Sequence, residues 1–221
     1  MIKAVVLLSG GLDSAVTLYL AKARGFKCYC LTFDYGQRHK IELQFARRVA
    51  ASIGASFKII KMSLPWQGSS LLDKSLRLPA SRHREDGGIP STYVPGRNII
   101  FLSFALSYAE TIGAQAIFIG AHAQDYSGYP DCRPEFFRAF AVVAAKGTKS
   151  GVESGPVKIV TPLLGKTKAG IIRTGVSLGV PFGLTRSCYA ATKKPCGSCD
   201  SCYYRIKGFK EAGIEDPAFK L

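Results

Sequence analysis

The sequence predicts an α/β protein: a parallel sheet with helices on both faces, followed by a small C-terminal unit. Three observations predict it. Short apolar runs alternate with stretches of helical apolar spacing up to residue 178, the pattern of strand–helix–strand units. From Thr185 onward the composition turns to Cys, Lys and Gly, which divides the chain into residues 1–185 and a subdomain of residues 186–221. The chain has 221 residues, 47% hydrophobic and 20% charged; that supports a substantial core and excludes a disordered chain.

Residues 4–8 form an apolar run that ends at Ser9-Gly10-Gly11 and read as a buried strand. Residues 13–23 place Ala15, Val16, Leu18, Tyr19 and Leu20 at helical spacing and stop before Gly25, as a helix does. Residues 28–33 are the second strand. In residues 41–53, Ile41, Phe45, Val49 and Ile53 recur at helical spacing and Gly54 follows. Residues 57–60 are the third strand. A long apolar helix is expected over 97–112, closed by Gly113, then a strand at 116–119 and a helix at 135–145. A last strand at 157–160 leads into a helix over 168–178. Residues 64–96 hold Pro65, Pro79, Pro90 and Pro95 and match no period; a stretch of that length inside a domain reads as a lid or binding loop.

Thirty Lys and Arg against 15 Asp and Glu give a net charge of +15. Such a field draws polyanions, either nucleic acid or phosphorylated small molecules; it also describes a solvated basic surface. No apolar run approaches the roughly 18 residues of a membrane helix. The first apolar run is too short for a signal peptide, so the expectation is a cytoplasmic protein with no membrane partner. Of the seven cysteines, Cys188, Cys196, Cys199 and Cys202 have the spacing C-x7-C-x2-C-x2-C. In a chain read as intracellular, that clustering favours metal over disulfides. Four thiolates about 2.3 Å from one ion make a closed tetrahedral zinc site, which organises structure. An iron–sulfur cluster also takes four cysteines; zinc is the preferred reading. Cys28 and Cys30 lie in a strand and read as core residues.

Ser9-Gly10-Gly11-Leu12-Asp13-Ser14 joins the first strand to the first helix. Open α/β sheets bind ligands at the carboxyl ends of strands, and a helix N-terminus adds free N–H groups and partial positive charge. Two glycines let the backbone approach a phosphate. Neither the Walker A ending nor the dinucleotide fingerprint is present. An acid in such a loop repels a bare anion, so Asp13 reads as a magnesium contact or a helix cap. The plain alternative is a strand-to-helix turn capped by Ser9 or Asp13.

This loop resembles that of the adenylating ATP pyrophosphatases, the PP-loop superfamily. Further segments resemble its 7-cyano-7-deazaguanine synthase (QueC) family. They are Phe33-Asp34-Tyr35-Gly36-Gln37-Arg38-His39, Val94-Pro95-Gly96-Arg97-Asn98, Asp125-Tyr126-Ser127-Gly128-Tyr129-Pro130-Asp131-Cys132-Arg133 and Cys196-Gly197-Ser198-Cys199-Asp200-Ser201-Cys202. With the first loop they run in the family's order over nearly the whole chain. The resemblance implies a Rossmann-like, adenine nucleotide alpha hydrolase-like fold with a helical zinc subdomain at its C-terminus. It implies a ligase that uses ATP to turn 7-carboxy-7-deazaguanine and ammonia into 7-cyano-7-deazaguanine, through carboxylate and then amide activation. ATP would be held by Leu8, Ser9, Gly10, Gly11, Leu12, Asp13, Ser14, Ala15, Val16, Thr17 and Leu18 with magnesium, and structural zinc by the four cysteines. A homodimer is expected. The chain leaves no room for a glutaminase domain, so free ammonia is the expected nitrogen source.

The candidate catalytic residues are Asp13, Arg97, Asp125, Asp131 and Arg133. A guanidinium forks onto a carboxylate or a phosphate, which suits Arg97 and Arg133. Asp125 and Asp131 suit the N–H edge of the base, or magnesium. His39 and His122 are candidates for the ammonium proton, and Cys132 reads as a pocket wall. Arg186 stands where the family often has an apolar residue. The alternative reading is a PP-loop enzyme that thiolates tRNA; it uses the positive field and needs a cysteine pair near the loop. A third is a non-enzymatic basic zinc module that binds nucleic acid.

Overall fold

The computed structural model describes residues 1–73, 75–77, 88–122, 128–190, 192 and 194–219. Asp125 of the candidate site lies outside these residues. The strands are β1 (Lys3–Leu7), β2 (Lys27–Asp34), β3 (Ser56–Lys61), β4 (Ala116–Phe118) and β5 (Lys158–Val160). The helices are α1 (Leu12–Ala23), α2 (Ile41–Ala51), α3 (Arg97–Ile112), α4 (Pro134–Gly147), α5 (Lys149–Glu153), α6 (Lys168–Ser177) and α7 (Asp200–Ala212). Every strand and helix expected from the sequence is present within about two residues of its expected ends; α5 and α7 were not delimited by periodicity.

The sheet is wholly parallel, in the order β3-β2-β1-β4-β5. Along β1, Ala4 and Val6 face one core and Val5 and Leu7 the other, the period of two expected of a strand buried on both sides. The first core takes Ala15 and Val16 of α1, Ala46 and Val49 of α2, Ile171 and Ile172 of α6 and Phe209 of α7. The second takes Leu102, Ala105 and Ala109 of α3, Phe137 and Phe140 of α4, and Leu64, Leu71 and Val94 from the irregular stretch. That stretch therefore supplies a wall of the core as well as a loop.

Strand order reverses between β1 and β4, the topological switch point at which such sheets open a crevice beyond their carboxyl ends. Gly120, just past β4, brings that end hard against α1: a Cβ there would lie 2.9 Å from Thr17 Oγ1 and 3.1 Å from the Asp13 carbonyl.

The cysteine-bearing helix α7 is tied to the body by Arg205, which is 2% exposed. Its Nε and one terminal nitrogen donate to the two Asp216 oxygens at 2.7 and 2.8 Å, and its other nitrogen donates to Thr185 Oγ1 at 2.8 Å. Asp216→Ala strands that guanidinium. Equilibrium urea unfolding is expected to register a loss of about 3–5 kcal/mol.

Candidate active site

The glycine loop is held from three sides. Gly10 has φ +84°, and a Cβ on it would lie 2.5 Å from the Glu42 carbonyl oxygen and 2.7 Å from the Ala46 amide nitrogen of α2. Only glycine fits that dihedral and that gap. The Arg186 amide donates to the Gly10 carbonyl at 2.8 Å. Within the loop, Ser14 Oγ accepts from the Ser9 amide at 3.2 Å and donates to the Gly11 carbonyl at 3.0 Å. The hydroxyls thus brace the loop's own backbone. No side chain caps α1 at Gly11, so neither Ser9 nor Asp13 is the cap that a plain turn requires. The first N–H groups of α1 are left for a ligand.

Beside the loop stands a partly buried charge pair. Lys168, the first residue of α6, donates from Nζ to Asp13 Oδ1 and Oδ2 at 2.8 and 2.9 Å, and lies 2.8 Å from His122 Nε2. An ammonium can only donate, so His122 Nε2 accepts and its ring carries its proton on Nδ1. Burial acts to raise the Asp13 carboxyl, but Lys168 and then His122 outweigh it and hold the group well below the usual carboxylate range. Periodicity reasoning missed Lys168. The readable signal was a lysine at the very start of a helix, where the dipole disfavours a cation unless an anion faces it.

The loop opens into a cavity of about 270 Å³. Leu8, Ser9, Gly11, Asp13 and Ser14 line one end, with Gly120 beside them; Tyr35, Arg97, Asn98, Phe101, Tyr129 and Cys132 line the other. Phe33 stacks on Phe101 with ring centres 3.9 Å apart and nearly parallel planes, forming a flat apolar floor. Arg97 reaches the Tyr35 hydroxyl at 3.4 Å. Burial disfavours its charge, but Tyr35 and Tyr129 more than offset that, so its pKa is raised and it stays a cation. No carboxylate pairs with it among the described residues.

The other expected residues divide. Ala15, Val16, Thr17 and Leu18 are wholly buried and Leu12 nearly so; they carry the loop from beneath rather than face the cavity. Asp131 accepts the Asn98 amide at 2.9 Å on Oδ2, an acid at the N-terminus of α3. Its carbonyl accepts Asn98 Nδ2 at 3.0 Å, so Asp131 fixes the turn that presents Arg97 and Asn98. Arg133 is exposed at the start of α4 and is absent from the cavity wall. His39 lines the cavity; His122 sits behind Asp13.

Cys188, Cys196, Cys199 and Cys202 bring their four sulfurs within 4.8 Å of one another. A tetrahedron with bonds of about 2.3 Å has edges of about 3.8 Å, so the set fits zinc after a small contraction. Donation from the Cys202 thiol leads the influences that lower the Cys199 pKa to about 5, and a thiolate is what zinc requires. Ser187, Tyr189 and Ser201, which flank these cysteines, line the same cavity. Cys28 and Cys30 are core residues of β2, as expected. None of the described helices is long and apolar enough to cross a membrane.

A parallel sheet with a glycine loop at its switch point, uncapped toward a cavity, has the architecture of the PP-loop α/β fold. An NMN synthetase from Francisella tularensis shares this fold at a TM-score of 0.52, with 15% identity over 96% of this chain and 77% of that one. Residues 3–213 match the family model described as "Queuosine biosynthesis protein QueC", and the chain belongs to that family. A relative from Methylococcus capsulatus is 56% identical over 97% of this chain and 96% of its own. One from Pseudomonas aeruginosa is 53% identical over the same shares. Both are named 7-cyano-7-deazaguanine synthase. The family read from five sequence segments is the one matched, and its members are enzymes, which removes the non-enzymatic zinc module.

Gly10→Ala is expected to cost about 2–4 kcal/mol through overpacking and backbone strain, read as a lowered urea midpoint. Cys199→Ser is expected to lose bound zinc and thermal stability together, measured by metal analysis and a melting curve on the same sample.

Proposed function

We propose that the chain is a 7-cyano-7-deazaguanine synthase: an ATP-dependent ligase that converts 7-carboxy-7-deazaguanine and ammonia to the nitrile. The observation that carries this reading is one cavity lined both by a phosphate-type loop and by a half-buried arginine that has no carboxylate partner among the described residues. Residues 1–185 form the nucleotide unit and residues 186–221 the zinc unit.

The Arg97 guanidinium holds the carboxylate of the deazapurine, and the Phe33–Phe101 floor takes its ring plane. The Leu8–Leu18 segment binds ATP, with the amides of the α1 N-terminus on its phosphates. Magnesium supplies charge neutralisation for the departing pyrophosphate. Asp13 would hold that ion by releasing an oxygen from Lys168, and Lys168 then donates to a phosphate oxygen. A carboxylate oxygen attacks the α-phosphorus and pyrophosphate leaves. Ammonia displaces AMP and forms the amide. The amide oxygen then attacks a second ATP; departure of AMP and two protons leaves the C≡N bond. Arg133 does not reach the cavity, so Arg97 alone carries the clamp. Asp131 acts by placing Arg97 and Asn98, and Asp125 keeps its expected role on the substrate's N–H edge.

Cys132 is the only cysteine on the cavity wall among the described residues, which weighs against the thiolating alternative with its cysteine pair. A homodimer fits the exposed Ile99 and Phe104 of α3 and Val142 and Val143 of α4. The protein is expected to act in the cytoplasm without membrane or nucleic-acid partners.

Incubation with 7-carboxy-7-deazaguanine, ATP, magnesium and ammonium should give the nitrile with two AMP per product. A folded, metal-loaded sample that makes neither amide nor nitrile would refute the reading. Arg97→Gln should raise KM for the acid by about 10–100-fold, the worth of one charged hydrogen-bond pair, with a smaller change in KM for ATP.

A further inference from the structure

His39 and Glu42 form a dyad on the cavity wall, at the start of α2, that none of the binding roles above uses. Its orientation follows from a chain of fixed partners. Gln37 is 1% exposed. Its Oε1 accepts the Tyr35 amide at 2.8 Å, so its amino group is the end that donates to the Phe33 carbonyl and to Glu42 Oε1, each at 3.0 Å. The other Glu42 oxygen, Oε2, lies 3.0 Å from His39 Nε2. A carboxylate only accepts, so Nε2 carries a proton, and in the neutral ring the lone pair is on Nδ1. That Nδ1 is buried and has no hydrogen-bond partner among the described residues, an exception that calls for an explanation. His122 offers no such atom: its Nε2 is taken by Lys168. The dyad also adjoins the phosphate loop, because Gly10 packs on the Glu42 backbone.

We infer that His39 is the general base of the nitrile-forming half-reaction, oriented by Glu42. The inference rests on the function proposed above and deepens it. The adenylated amide, R–C(=NH2+)–O–AMP, loses one N–H proton to solvent and becomes the neutral imidate. His39 Nδ1 takes the second. The electron pair of that N–H bond closes the third C–N bond, the C–O bond breaks, and AMP leaves with its pair. Glu42 faces the imidazolium that results, the arrangement of a carboxylate–histidine pair. Amide formation asks less of the wall: the –NH3+ group formed when ammonia adds is acidic enough to give its extra proton to solvent, whereas the imidate N–H is not.

The test compares two half-reactions in the full-length, zinc-loaded enzyme: acid to amide with saturating ammonium, and the synthetic amide plus ATP to nitrile. His39→Gln, His39→Asn and Glu42→Gln are assayed beside the parent. The expected result is a fall of about 100-fold or more in amide-to-nitrile turnover against a far smaller fall in acid-to-amide turnover. The amide then accumulates and is seen by mass spectrometry. Glu42→Gln should shift the ratio in the same direction by less. Equal losses in both half-reactions, or an unchanged ratio, overturn the inference, since a structural histidine moves both alike. A parent enzyme that makes nitrile while the variants keep its ratio sinks the histidine role alone; a parent that makes no nitrile from either acid or amide sinks the functional reading as well.

Discussion

The Lys168–Asp13 pair is the constraint around which the rest is arranged. It spans 155 positions of sequence and joins the N-termini of α6 and α1 beside the glycine loop. Both helix ends carry partial positive charge, and the Lys168 ammonium adds to the same corner. Asp13 is the acid that makes this corner foldable in the absence of ligand. A polyanion entering the cavity meets two helix termini, an ammonium and, at the far end, Arg97. The site is electropositive by construction before any surface charge is counted, so the proposed phosphate binding does not depend on the overall balance of +15.

That corner also shows what a sequence does and does not display. The sheet was legible because β1 and β2 are near-continuous apolar runs and α2 and α3 end on Gly54 and Gly113; local chemistry writes those boundaries. The glycine loop was legible because its geometry demands glycine at Gly10. The four cysteines were legible because thiols clustered at short spacing in the sequence are drawn together in space, their sulfurs within 4.8 Å of one another. Lys168 and Glu42 were not, since a lysine or glutamate on a helix looks like solvated surface until the fold brings its partner to it. Arg133 lies apart from the cavity for the converse reason. It neighbours Cys132 in a motif-like stretch, yet the turn at Pro130–Cys132 points Cys132 inward and starts α4 with Arg133 outward. Asp131 was found by motif, but its position beneath α3 makes it a support for Arg97 and Asn98.

The two ends of the cavity are built by different means, and this suits the proposed reaction, in which the same loop would hold a nucleotide twice. The loop end is mostly backbone, trapped between α2 and the Arg186 strand of chain, and it has little freedom to adapt. The far end is side chains: Arg97 held by Tyr35, Asn98 by Asp131, and Phe101 by Phe33. An invariant phosphate grip and a substrate whose functional group changes from carboxylate to amide place those different demands on the two ends.

The zinc unit belongs to this logic through Arg186. Its backbone amide holds the Gly10 carbonyl, while its guanidinium donates to the carbonyls of Thr192 at 2.6 Å and Lys194 at 3.2 Å. Those carbonyls lie in the loop between Cys188 and Cys196, whose own shape the four thiolates set. One buried arginine therefore spans from the cysteine loop to the phosphate loop, which is reason enough for a cation where an apolar side chain would only fill space. The same stretch sends Ser187 and Tyr189 into the cavity wall. A closed tetrahedral metal performs no chemistry itself; held by the four cysteines, it would fix the third side of the glycine loop and act through geometry alone.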